Sequence, residues 1–173
     1  MKKTKTLALC AVLLALALAL SYAERFLPLQ LLIPLPGVKL GLANIVSLVA
    51  LYGLGRKYAF GILLPRCILG AIFGGGISGL LFSLTGGLLA MGVMALCQKS
   101  RIFSVYGVSI LGAAAHNVGQ ILAAMLLMQS VYIGAYLPYL LVVAVFTGFA
   151  IGAAGAGVLR MLKTVPISKE MNR

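Results

Sequence analysis

Carboxylates are almost missing from this chain. Only Glu24 and Glu170 occur in 173 residues, against 14 lysines and arginines. Carboxylate-pair hydrolysis, an Asp-rich magnesium site and a Ser-His-Asp triad therefore cannot be assembled from this polypeptide alone. Charge of either sign is scarce too, at 9% of residues, where ordinary globular chains carry about a quarter. With 62% hydrophobic residues and a mean hydropathy of +1.14, a soluble domain is excluded. The chain reads as one polytopic transmembrane domain, residues 1–173. Tryptophan is absent and 21 glycines stand in the sequence, so helices are expected to approach closely through small residues. Cys10, Cys67 and Cys97 lie in apolar stretches without CxxC spacing, and there is a single histidine. Neither a disulfide framework nor a metal site follows, and no cofactor is expected. The net charge of +12 does not point to nucleic acid, because the cations sit in short clusters between apolar runs and act as topology signals.

What is present is a series of apolar runs. About 20 apolar residues at 1.5 Å each cross the ~30 Å hydrocarbon core. Runs at about 6–26, 40–54, 58–73, 77–97, 105–128 and 138–159 predict an all-α integral membrane bundle of six transmembrane helices. The basic start MKKTKT, the apolar core and Ser21-Tyr22-Ala23 would also suit a cleaved signal peptide. Ala11, Ala15, Ala19 and Ala23 favour a retained first helix instead. Such a stripe lets another helix backbone approach, either inside the bundle or on a partner. Residues 28–39, PLQLLIPLPGVK, are too proline-rich for a helix and too apolar for a loose linker, so a stiff loop against the outer face is expected. GGGISG lacks the strand and the Lys-Ser/Thr of a phosphate loop and reads as a turn.

The fifth run carries His116, Asn117 and Gln120 near its middle, together with Ala113 and Ala124 on one helical face. A polar amide or imidazole facing lipid is costly, so this face should look into the protein or a wet cavity. It either lines a ligand site or hydrogen-bonds to neighbouring helices. No acidic residue is expected at that depth beside His116, which points to a partner from outside the chain. Asn44 and Ser47 share a face near the start of the second run, just after Lys39. Arg66 lies inside the third run beside Pro65, where an arginine either serves a site, pairs, or snorkels toward the surface.

The stretches PLPGVKLGLANIVSL, LLPRCILGAIFGGG and GAAAHNVGQ, in this order, resemble the membrane family named heptaprenyl diphosphate synthase component I. That family is grouped with the small Gx transporter proteins, and the resemblance covers about residues 7–162. The grouping implies similarity to the substrate-binding S subunits of energy-coupling factor vitamin transporters. Those six-helix proteins capture a small molecule near the outer surface and dock through an alanine-rich first helix on a membrane coupling protein driven by two ATPases. The resemblance implies that Ala11, Ala15, Ala19 and Ala23 form the docking face and that the 28–39 loop covers the ligand. On this reading Lys39 and Arg66 attract an anionic group, while Asn44, His116, Asn117 and Gln120 orient it.

The expected function is then a substrate-capture subunit of an importer for a small vitamin-like or isoprenoid- or quinone-related molecule. The family name implies the alternative, a noncatalytic membrane component of a heptaprenyl diphosphate synthase, because the Asp-rich motifs of prenyl synthases are absent. A structural subunit without a ligand is the third reading. A polar outer pocket would support capture, and a lateral apolar groove would support prenyl handling. Interlocked polar side chains without a void would support the structural role.

If six spans alternate, every cation except Arg25, Lys39 and Arg66 falls on one side of the membrane. The positive-inside rule makes that side the cytoplasm and places both termini there, in the plasma membrane. Reporter fusions after Lys57, Arg101 and Arg173 are each expected to report cytoplasm. An external signal from any one of them overturns this topology.

Overall fold

In hydrocarbon every backbone N–H and C=O must find its partner within the protein, which leaves helices as the solution for a chain of long apolar runs. The computed structural model describes residues 2–26, 39–100 and 102–164, and these residues are helical almost throughout. α1 covers Lys2–Ala23 and ends in a 3-10 turn at Glu24–Phe26. α2 is Asn44–Gly53, α3 is Arg56–Gly70 and α4 is Gly76–Ser100. α5 is Val105–Met128, and α6, Leu137–Thr164, follows a 3-10 segment at Val131–Tyr136.

Length and apolarity mark four segments as candidates for crossing a bilayer: Thr4–Ala23, Arg56–Ser100, Val105–Met128 and Val131–Leu162. Six spans are expected from the sequence, and that count is not reproduced; α2 is the helix that falls short. α2 has 10 residues, about 15 Å at 1.5 Å per residue, which is half the hydrocarbon core. It starts late because Gly41 holds a φ of +82°, a left-handed conformation that breaks the helix before Asn44. The segment Arg56–Ser100 is one apolar stretch by composition, but it folds back on itself at the turn expected in GGGISG. Gly74 at φ 109° and Gly76 at φ 61° interrupt it with a turn at Ala71–Gly75. Cys67 Sγ then donates to the Ser83 carbonyl at 3.4 Å, and Gly87 lies against Leu63, so α3 and α4 run antiparallel.

α5 lies between α4 and α6 and makes the most extensive contacts in the bundle. It is opened by Ser104, whose Oγ accepts the Gly107 N–H at 3.2 Å, and closed by Gln129 in the left-handed region. Glycines let it approach both neighbours. Gly119 meets the Thr85–Gly86 backbone of α4, and Gly148 of α6 meets the backbone of Ile110. One apolar core joins α1, α2, α3 and α4 around Leu48, Leu51, Leu63, Met91 and Met94. A smaller one, around Phe82, Ile121 and Leu140, ties the start of α4 to the ends of α5 and α6.

The α4–α5 contact generates a stability prediction. A Cβ on Gly119 would stand 2.7 Å from Gly86 Cα and from the Thr85 carbonyl oxygen, and backbone cannot step aside as a side chain can. Gly119→Ala is expected to lower stability by about 1–3 kcal/mol, read as a fall in thermal midpoint in detergent. An unchanged midpoint would show that the two helices are not in this contact.

Candidate functional site

Polar side chains on apolar helices gather where they can satisfy one another, since lipid offers them nothing. Glu24, Asn44, Arg66, His116 and Gln120 are all buried, although they come from the end of α1 and from α2, α3 and α5. Gln120 is the connection between them and is 0% exposed. Its Oε1 accepts the Lys39 N–H at 3.3 Å, and its Nε2 donates to the Lys39 carbonyl at 3.1 Å. The amide thus pairs with the backbone ahead of α2 in the manner of a neighbouring strand, and this pairing decides which end of the amide is oxygen. The same Nε2 lies 2.9 Å from His116 Nε2. An amide nitrogen only donates, so His116 Nε2 accepts and the proton of a neutral ring sits on Nδ1.

The segment before α2 is held from other sides as well. Lys39 Nζ donates to Ser83 Oγ at 3.1 Å, and Gly41 N–H donates to Glu24 Oε1 at 2.6 Å. Burial pushes the Glu24 carboxyl above its ordinary range, while the Gly41 N–H and the charges of Lys39 and Arg66 pull against that rise. Gly41 has no room for a side chain in this position. A Cβ there would lie 2.8 Å from Asn44 Nδ2 and 3.2 Å from His116 Cδ2. Gly86 and Gly87 serve the opposite side. Their Cβ positions stand 2.8 Å from His116 Nδ1 and 3.2 Å from Arg66 Nη2.

The expected residues are therefore not all in one place. Lys39, Asn44, Arg66, His116 and Gln120 converge around Gly41 and Gly86–Gly87. Asn117 turns away, and its Nδ2 donates to the Leu140 carbonyl of α6 at 2.7 Å. Arg66 is 5% exposed, so its guanidinium does not reach a surface by snorkelling. Ala11, Ala15, Ala19 and Ala23 all lie on the exposed side of α1. The loop expected to cover a ligand falls on residues 28–39, of which only Lys39 is among the described residues. Glu24 was not among the expected site residues. It is 3% exposed and accepts from Gly41, the residue that borders the His116 ring. Its signal was its rarity, one of two carboxylates, placed in the last turn of the first apolar run. Ser83 and the two glycines of α4 carried no signal of their own.

An apolar groove of about 470 Å³ lies beside this cluster, between α1 and the end of α3. Leu18, Ala19, Ser21 and Tyr22 form one wall, and Gly70 and Phe73 the other. A family model described as heptaprenyl diphosphate synthase component I matches residues 13–158. The chain belongs to that family. No curated protein matches it and no solved structure does, so the likeness to coupling-factor S subunits gains nothing from these comparisons. The heptaprenyl diphosphate synthase component I match runs from α1 into α6 and spans every candidate residue except Ala11.

Two substitutions separate the roles on α5. Asn117→Ala removes one buried hydrogen bond to a carbonyl that keeps its partner within α6, and is expected to cost about 0.5–1.5 kcal/mol of stability. Gln120→Ala strands the Lys39 N–H, the Lys39 carbonyl and His116 Nε2, so the loss should be clearly larger. Unfolding of both variants in detergent checks the order, and a smaller loss at Gln120 contradicts the arrangement described here.

Proposed function

We propose that this protein is a noncatalytic membrane component of a heptaprenyl diphosphate synthase, holding an isoprenoid chain at the bilayer for a catalytic partner. The family match over residues 13–158 carries this reading. The word component in the family description supports a protein partner. The lateral groove supports the choice of ligand, because its walls are apolar and of a size that accepts isoprene units. The near absence of carboxylates supports a noncatalytic role, and Glu24 is engaged with the Gly41 backbone. The same reading places the protein in the plasma membrane with both termini in the cytoplasm, on the strength of the cation distribution.

Native mass spectrometry of the protein purified from its own membrane tests the ligand. A retained isoprenoid is the expected result. Gly70→Leu should reduce that signal severalfold with little effect on folding, because a Cβ at Gly70 meets nothing within 4 Å and the added side chain fills the groove. Retention of a water-soluble vitamin, unaffected by Gly70→Leu, would sink the proposal.

One observation favours the importer reading, in which a coupling protein and ATPase subunits power uptake of a small molecule. Ala11, Ala15, Ala19 and Ala23 present a smooth exposed face every four residues, and helix association in lipid relies on such close contact. Ala15 lies outside the groove lining. Ala15→Trp should therefore abolish capture of a membrane coupling protein in a pull-down while leaving the thermal midpoint unchanged. Capture that survives the substitution argues against docking through this face.

A further inference from the structure

We propose that Asn44, Arg66 and His116 form an internal receptor for a phosphoryl anion, one helical turn from the apolar groove. Three of the buried side-chain nitrogens in this cluster, Asn44 Nδ2, Arg66 Nη1 and His116 Nδ1, make no hydrogen bond of good geometry, although the His116 ring does lie against the Gly86 backbone. The three residues are 4%, 5% and 3% exposed. Buried polar atoms are nearly always satisfied, so three in one cluster call for an occupant. All three are donors. The amide and guanidinium nitrogens can only donate, and Gln120 holds His116 in the tautomer that carries its proton on Nδ1. A site made of donors takes lone-pair acceptors, and oxyanions offer several of them at once.

The donors come to one place from three helices. Asn44 Nδ2 and the His116 ring both border the side-chain position of Gly41. His116 Nδ1 and the Arg66 guanidinium border those of Gly86 and Gly87, two successive residues of α4. The missing side chains at these glycines let the donors pack directly against backbone. Charge adds a sign to the preference. Among the described residues Lys39 and Arg66 are near one carboxylate, Glu24, which accepts from the Gly41 N–H. Donors arriving from α2, α3 and α5 suit the several oxygens of a tetrahedral phosphoryl group better than the two coplanar oxygens of a carboxylate. Ser109 Oγ is also buried without a partner, but it lies beside Gly152 of α6 and takes no part.

The groove begins close by. Gly70 follows Arg66 by four residues on α3, and Ser21 precedes Glu24 by three on α1, spacings that bring residues together on a helix. An amphiphile with its phosphoryl head among the donors would lay its tail between α1 and α3. The isoprenoid identity of that tail rests on the function proposed above. The anion site stands on the donors alone.

Titration calorimetry and thermal shift in phosphate-free, non-ionic detergent test the site. The probes are inorganic diphosphate, geranyl diphosphate, geraniol, acetate and phosphatidylglycerol-doped micelles. Inorganic diphosphate should bind and raise the thermal midpoint, and geranyl diphosphate should do so more strongly. Asn44→Ala is the informative variant because it removes an orphaned donor. It should leave the ligand-free midpoint unchanged or higher while weakening diphosphate binding about tenfold. Arg66→Gln should weaken it further. A lowered ligand-free midpoint in Asn44→Ala with unaltered binding overturns the proposal, as does the absence of any response to phosphoryl compounds. Acetate binding as tightly as diphosphate overturns the phosphoryl class. Phosphatidylglycerol binding as well as geranyl diphosphate, with the same loss in Asn44→Ala, upholds the anion site and identifies the source as a membrane lipid. Geranyl diphosphate binding no better than diphosphate also upholds the anion site, and it removes the isoprenoid reading alone.

Discussion

Gln120 has no surface exposure, and its amide must be satisfied inside the protein. It achieves this by pairing with both backbone groups of Lys39 and with His116, across a sequence separation of 81 residues. That side chain ties the segment just before α2 to the middle of α5. Beside this tie Gly41 turns with a positive φ, α2 begins at Asn44, and Glu24 accepts the Gly41 N–H.

Close helix approach decides the rest of the shape. Gly119 against Thr85–Gly86 and Gly148 against Ile110 pull α4 and α6 onto α5. Missing side chains on the same helix let His116 and Arg66 pack against the backbone at Gly86 and Gly87. The helix contact and the polar cluster therefore use one property of α4, the absence of bulk in the middle of the helix. At the side of the bundle, Ala19 and Gly70 have a comparable effect and leave a groove where larger residues would have closed it.

How much of the site was legible depends on what each residue must do alone. His116, Asn117 and Gln120 are visible as intruders in an apolar run, and helical spacing places them near one another. Spacing does not say which neighbour each will meet. Asn117 is one position from His116, about 100° around the helix, and so it meets α6 rather than α2. Glu24 was legible as a rare residue but not as a buried one, because it falls in the last turn of the first run, where a carboxylate can still reach the surface. The count of spans was misjudged for a related reason. A run of apolar residues is judged by composition, and the turn at Gly41 that shortens α2 does not change composition.

Composition and periodicity by themselves determined that this is an all-helical membrane protein with scarce carboxylates, a polar face on α5 and an alanine stripe on α1. These follow from local physics, since backbone satisfaction in lipid and a 3.6-residue repeat require no knowledge of neighbours. Tertiary structure alone decided that Glu24, Lys39, Arg66 and His116 share one cluster, that Asn117 stands apart from it, and that a groove opens between α1 and α3. A hydrogen bond or an unpaired donor is a property of two positions in space. Residues 39 and 120, or 66 and 116, acquire that relation only when the helices pack.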